Sequence, residues 1–270
     1  MAHMVASGFV ARNLASDLEL VETTYAFNVE SVESLMQFDS MVLTTIDDML
    51  DRLQKDLEDK RANLAIVAVQ NHRKNIQNIR KNESVKHHYD TMLNQCVVLL
   101  VSHFASAVHD ALRAGVYEAL RHGQRFPVAK QEIKAKMGDL WYGQDEHRRA
   151  EHIVDLAIDQ PGVSFQDMLS IHRTFNDYLM ITTPRGPALN DIIIGQATRH
   201  CIVHAGGKMT LKSMKMLGNR TGHRLHLRVV ADQPIQFERD DVRALAASTT
   251  EYLGELLGNM QQTMTAPPSS

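Results

Sequence analysis

The sequence predicts an all-α fold: a helical bundle with a small β-hairpin insertion and a C-terminal helix. Three observations predict it. Neither glycine nor proline occurs between Gly8 and Gly115, so the strongest helix breakers are missing from a long stretch. Apolar residues recur through that stretch every three or four positions, the period of an amphipathic helix. Residues 223–230 (HRLHLRVV) show two-residue alternation toward their start, and with PIQF at 234–237 they predict a small hairpin or a pair of edge strands.

Leu35, Phe38, Val42, Ile46, Met49, Leu53 and Leu57 form the stripe of the first long helix, and DRLQKDLEDK supplies its charged face. A second segment with Leu64, Ile66, Val69, Ile76 and Ile79 either continues that helix or turns back on it, and KNES at 81–84 is the break. Residues 86–122 form the most apolar helix, one that neighbours must nearly surround. Shorter helices are expected over 128–138 and 145–159, with Trp141-Tyr142-Gly143 as a packed corner between them. Ser164 and Asp167 resemble a capping box for a helix ending near Met180. After TTPRGP at 182–187, a helix runs from about Leu189 to Ala205 and stops at Gly206-Gly207. A short helix follows near Met209–Leu217, and Asp240 or Asp241 caps a final helix reaching Met260. The expected division is an N-terminal extension over 1–29, a helical domain over 30–260 and a flexible tail over 261–270.

Apolar residues make up 44% of the 270, which excludes wholesale disorder. The 29 Lys and Arg nearly balance the 32 Asp and Glu, so recognition of nucleic acid would require a local cleft, not a cationic whole surface. Cys96 and Cys201 both lie in apolar helical patterns and read as buried, reduced thiols. The apolar run 97–101 is too short to span a bilayer, and no secretory signal is evident. These features favour a cytoplasmic protein with no membrane partner.

The candidate site is DIIIGQATRHCIVHAGG, residues 191–207. Histidine titrates near neutrality and can move a proton to or from a ribose hydroxyl or a leaving oxygen. Arginine offers a fixed fork of donors that matches a phosphate. Arg199 and His204 are thus the catalytic candidates, Arg199 and His200 the substrate-binding ones, and His200 and Asp191 supporting groups. A structural reading stands beside this one: Arg199 in an ion pair, His204 as a cation at a helix C-terminus. Five residues place Arg199 and His204 about 140° apart around the axis, so one helix does not aim both at one phosphate. A second copy across a two-fold axis does so more easily. His200 and His204 share a face at metal-ligand spacing, but no third ligand is specified nearby, so neither a metal nor any other cofactor is expected.

RHCIVHAGG resembles the RNxIVHNGG signature of HEPN-domain proteins (higher eukaryote and prokaryote nucleotide-binding). Arg199 and His204 match its two invariant positions, and His200 fills the polar position after Arg. Ile202-Val203 and Gly206-Gly207 match the apolar pair and terminal glycines, while Ala205 replaces the common Asn. LLVSHFASAVHDALRAGVYEAL also resembles the long helix of the large branch of that family, which includes RiboL-PSP and MAE-like ribonucleases. The resemblance covers about residues 30–260. It implies a HEPN-like helical bundle with the Arg/His helix at a homodimer interface. It also implies a metal-independent endoribonuclease that acts on RNA as a toxin or antiphage effector, with a possible antitoxin or defence-system partner. Members that have lost activity imply the alternative, a dimerisation scaffold or a module binding a nucleotide or regulatory partner.

Overall fold

The computed structural model describes residues 13–81, 83–122, 125–130, 146–227 and 229–266. Among these the chain is built from eight α-helices and one 3₁₀ turn. Helix α1 (Leu14–Asp59) opens on Asn13, whose side chain accepts the Ala15 amide at 3.1 Å and so meets one of the unpaired N–H groups of the first turn. Leu14, Leu18, Tyr25, Val32 and Met36 fall on one stripe and are buried in the core. Residues 14–29, expected as an extension, are therefore continuous with this helix and packed. A different face, the stripe the sequence singles out, is left exposed: Leu35, Phe38, Val42, Ile46, Met49 and Leu53, with Met41 beside them.

The chain reverses at Lys60–Ala62, where Arg61 takes a left-handed φ of 54°. Helix α2 (Asn63–Lys81) runs back along α1, and Arg73 ties the two by bonding Asp47 and Asp51, each at 2.9 Å. This settles the open question of the second segment: it turns back. The break falls at KNES as expected, and α3 (Glu83–Arg121) follows.

Helix α3 is the axis of the core. Cys96, Val97, Leu100, Phe104, Val108, Ala111, Leu112 and Val116 are all buried against α1 and the later helices. Phe104 meets Tyr25 and Tyr252 edge-on at 6.3 and 5.8 Å, a geometry that sets each ring's positive edge against a neighbour's π face. By length and a mean hydropathy of 1.5, Tyr89–Arg121 is apolar enough to cross a membrane, and in the fold many of its apolar residues form this core while Leu99 is exposed. Burial pushes the Cys96 thiol up to about 11, consistent with an inert packing role, and both cysteines are buried free thiols.

A 3₁₀ turn (Pro127–Lys130) and α4 (Glu146–Ile158) follow; Trp141-Tyr142-Gly143 and the rest of 131–145 lie outside the described residues. Helix α5 (Met168–Leu179) is capped by Asp167, which accepts the Ser170 amide at 2.9 Å, and it ends on Met180 at φ 56°. Then come α6 (Ala188–His204), α7 (Leu211–Leu217) and α8 (Arg239–Thr265). Glu238 caps α8, and Asp241 returns a bond to the Glu238 amide, closing a capping box. The helix extends to Thr265 with Met264 still buried.

The expected β-hairpin does not form. Among the described residues the sole bridge is an isolated antiparallel pair, Lys208 with Pro234. The physical reason lies in where the backbone donors of 223–225 go. His223, Arg224 and Leu225 give their amides to the Asp191 carboxylate at 2.7, 3.1 and 3.3 Å, not to a neighbouring strand. Alternation in HRLHLRVV reflects a loop with Leu225 buried and Leu227 half-buried against the core.

Candidate functional site

Helix α6 passes through the core and then leaves it. Asp191, Ile192, Ile194, Gly195, Gln196, Thr198 and Cys201 are buried, while His200, Val203 and His204 are exposed on the last turns. Gly195 lets α8 approach closely, since a Cβ there would lie 2.9 Å from Leu245 Cδ1. The helix ends where the glycines predict. Ala205 and Gly207 both donate to the Cys201 carbonyl, at 2.9 and 3.1 Å, with Gly206 and Gly207 at φ 60° and 76°. Gly207 then accepts the Ile235 amide at 2.8 Å, which pins the chain just beyond His204.

The structure does not bring the four candidates together. His200 and His204 are neighbours, with ring centroids 4.9 Å apart and planes inclined at 51°. Arg199 is half-buried, its Nη1 donating to Gln166 Oε1 at 3.4 Å. No carboxylate pairs with it among the described residues, so its charge is met only by a neutral amide. Asp191 stands apart. It is wholly buried, and besides the three amides it accepts the Ser248 hydroxyl at 2.6 Å. Gly222 makes this wrap possible, because any Cβ there would run into the Leu225 carbonyl and sit 2.8 Å from Asp191 Oδ1. Asp191 therefore anchors the 222–225 turn and does not reach the histidines' side of the helix.

Arg199 and His200 line the rim of a groove of about 640 Å³ between α3, α5, α6 and α7. Its walls are mainly apolar, including Val101, Ile193, Ala197, Leu217 and the exposed Leu169 and Met216. Lys212 and Arg220 add two cations on the α7 side, and Asp167 is the one acid in the wall. Arg220 also caps α7 by donating to the Met216 and Leu217 carbonyls at 3.1 and 3.2 Å. Composition gave no sign of this local excess of positive charge, because Arg199, Lys212 and Arg220 come from separate elements. Gln196 was also missed, although it lies four residues before His200 and eight before His204, a spacing that puts all three along one ridge of α6.

Arg199 can grip an anion and either exposed imidazole can exchange a proton with a substrate in solvent. Among the described residues no group of three or more His, Cys, Asp or Glu side chains is placed to hold a metal ion. Comparison with known proteins gave no match, whether to a family model, a curated protein or a solved structure.

Proposed function

We propose that the chain is a homodimeric endoribonuclease that cleaves RNA without a metal ion. The observation that carries this reading is the state of Arg199. It is a half-buried guanidinium lining a groove, about one and a half turns from a helix end that displays two histidines, and among the described residues it has no acidic partner. A structural Arg at such a position ordinarily has a carboxylate beside it. The resemblance of RHCIVHAGG to the HEPN signature supports the same assignment.

In the proposed reaction an imidazole of His204 takes the proton from a ribose 2′-hydroxyl, whose oxygen attacks the adjacent phosphorus. The bond from phosphorus to the 5′-oxygen breaks, that oxygen takes a proton from solvent while His204 releases the one it took, and the products carry a 2′,3′-cyclic phosphate and a 5′-hydroxyl. Arg199 binds the phosphate and stabilises the added charge as the new bond forms. DNA has no 2′-hydroxyl and is spared. Arg199 and His204 diverge on one helix, so the reading requires two copies of α6 around one phosphate.

The test is cleavage of a mixed RNA in EDTA. The native protein is expected to cleave, and Arg199→Ala and His204→Ala to lose at least about a hundredfold, the usual scale for a charge stabiliser or proton-transfer group. Intact RNA with the native protein, or equal cleavage by all three, overturns the proposal. The second reading is a non-catalytic dimerisation scaffold or a module for a regulatory partner. The exposed apolar stripe on α1 (Phe38, Met41, Met49, Leu53) favours it, and it predicts self-association without turnover.

A further inference from the structure

We infer that the groove between α3, α5, α6 and α7 is a nucleobase subsite, in which Gln196 reads the edge of an RNA base. The inference rests on the nuclease reading for its substrate but on different atoms for its evidence. Gln196 lines the groove and is only 7% exposed, and its side-chain Nε2 is buried with no hydrogen-bond partner among the described residues. A buried amide donor left unpaired is costly, and such groups call for an explanation. The terminal torsion of glutamine is broad, so a small rotation turns the amide into the groove.

Three further features define the chemistry of the occupant. The walls supplied by Val101, Ile193, Ala197, Met216 and Leu217 suit a flat apolar body, and about 640 Å³ lies within the usual range for small-ligand sites. Arg199, Lys212 and Arg220 stand on the rim against a single acid, so the occupant carries negative charge at its mouth end. Gln196 needs a partner with hydrogen-bonding edges, which an alkyl chain lacks and every nucleobase has. A base inside with its phosphate at Arg199 satisfies all three.

Position adds a specificity. Gln196 precedes Arg199 by three residues on α6, about 4.5 Å along the helix axis, and both line the groove. With the phosphate at Arg199, the base that Gln196 reads is the one beside the cleaved linkage, and the histidine that moves the proton comes from the second copy.

The experiment is titration calorimetry of the native protein with the four ribonucleoside 5′-monophosphates, ribose 5-phosphate and dodecanoate. At least one mononucleotide is expected to bind more tightly than ribose 5-phosphate, with about a fivefold spread among the bases, the yield of one neutral hydrogen bond. Gln196→Leu is expected to erase the spread while leaving ribose 5-phosphate affinity unchanged. Ala197→Trp, which fills the groove, is expected to bring every mononucleotide down to the ribose 5-phosphate level. Equal affinities for all four bases and for ribose 5-phosphate overturn the inference, as does an unchanged spread in Gln196→Leu. Tight dodecanoate with weak nucleotides overturns it in favour of an acyl-anion site. These readouts are equilibria, so they separate from the cleavage assay. Base-selective binding without cleavage removes the nuclease and leaves the subsite, while cleavage with base-blind binding does the reverse.

Discussion

Asp191 acts from inside the molecule. Its carboxylate satisfies three consecutive backbone amides and the Ser248 hydroxyl, and those partners lie 32, 33, 34 and 57 positions away along the chain. That separation is why its role was not legible in the sequence. Read linearly, it is an acid in the first turn of a helix, the ordinary place for one. Asp191→Ala leaves four donors without their acceptor, of which the Leu225 amide and the Ser248 hydroxyl are buried. We expect a loss of about 3–4 kcal/mol in the stability measured by denaturant unfolding, since each orphaned buried donor costs about 1–3 kcal/mol. Hydrogen exchange at 223–225 should rise before the rest of the core opens. A loss below about 1 kcal/mol would show that other contacts hold this turn. Arg199 contrasts with it: the residue type and its place in RHCIVHAGG were readable, whereas its partner among the described residues, Gln166, comes from a loop that periodicity cannot place.

At the scale of elements, the helices with sharp punctuation were legible and the hairpin was not. TTPRGP and the Gly206-Gly207 pair bracket α6 because proline and positive-φ glycine act locally. Strand pairing is not local, and a buried carboxylate took the donors that a partner strand needed. The end of α3 gives a testable electrostatic case. Glu118 is buried, which by itself opposes its charge, but Arg121 at 2.9 Å and His122 at 2.9 Å hold its carboxyl below the ordinary value. The native state therefore prefers the ionised form more than the unfolded chain does. This stabilisation is fully present above the unfolded carboxylate pKa of about 4.3 and disappears as pH falls through the lower folded value. Glu118→Gln is expected to lower stability at pH 7 by about 1–2 kcal/mol, the scale of a hydrogen bond to a charged group. The gap between the urea midpoints of native and variant protein should shrink only as pH falls below the ordinary carboxylate value of about 4.3. A gap that persists unchanged into acid would assign the effect to packing.

At the scale of the whole molecule, the decisive question is how Arg199 and His204 meet. Within one chain they point apart: the guanidinium reaches Gln166 at the head of α5, while His204 stands beside His200 at the exposed end of α6. An unbroken helix sets the two positions about 140° apart around its axis, an offset that a second copy bridges more easily than side-chain rotation does. The two-fold reading thus makes a sharper claim than loss of activity in single variants. In it, Arg199 of one copy serves the phosphate attended by His204 of the other. Mixing Arg199→Ala with His204→Ala, after exchange of subunits, makes about half of the dimers mixed. Each mixed dimer contains one intact Arg199 and one intact His204 on different chains, which is the pair the composite cleft uses. The mixture is expected to recover RNA cleavage where neither variant alone cleaves, and light scattering should report dimers in all three samples. Dimers with no recovery would mean that both groups of one chain serve the same phosphate, which the geometry of a single α6 disfavours. Monomers throughout would remove the shared cleft and leave Arg199 as an anion-binding residue of the groove alone.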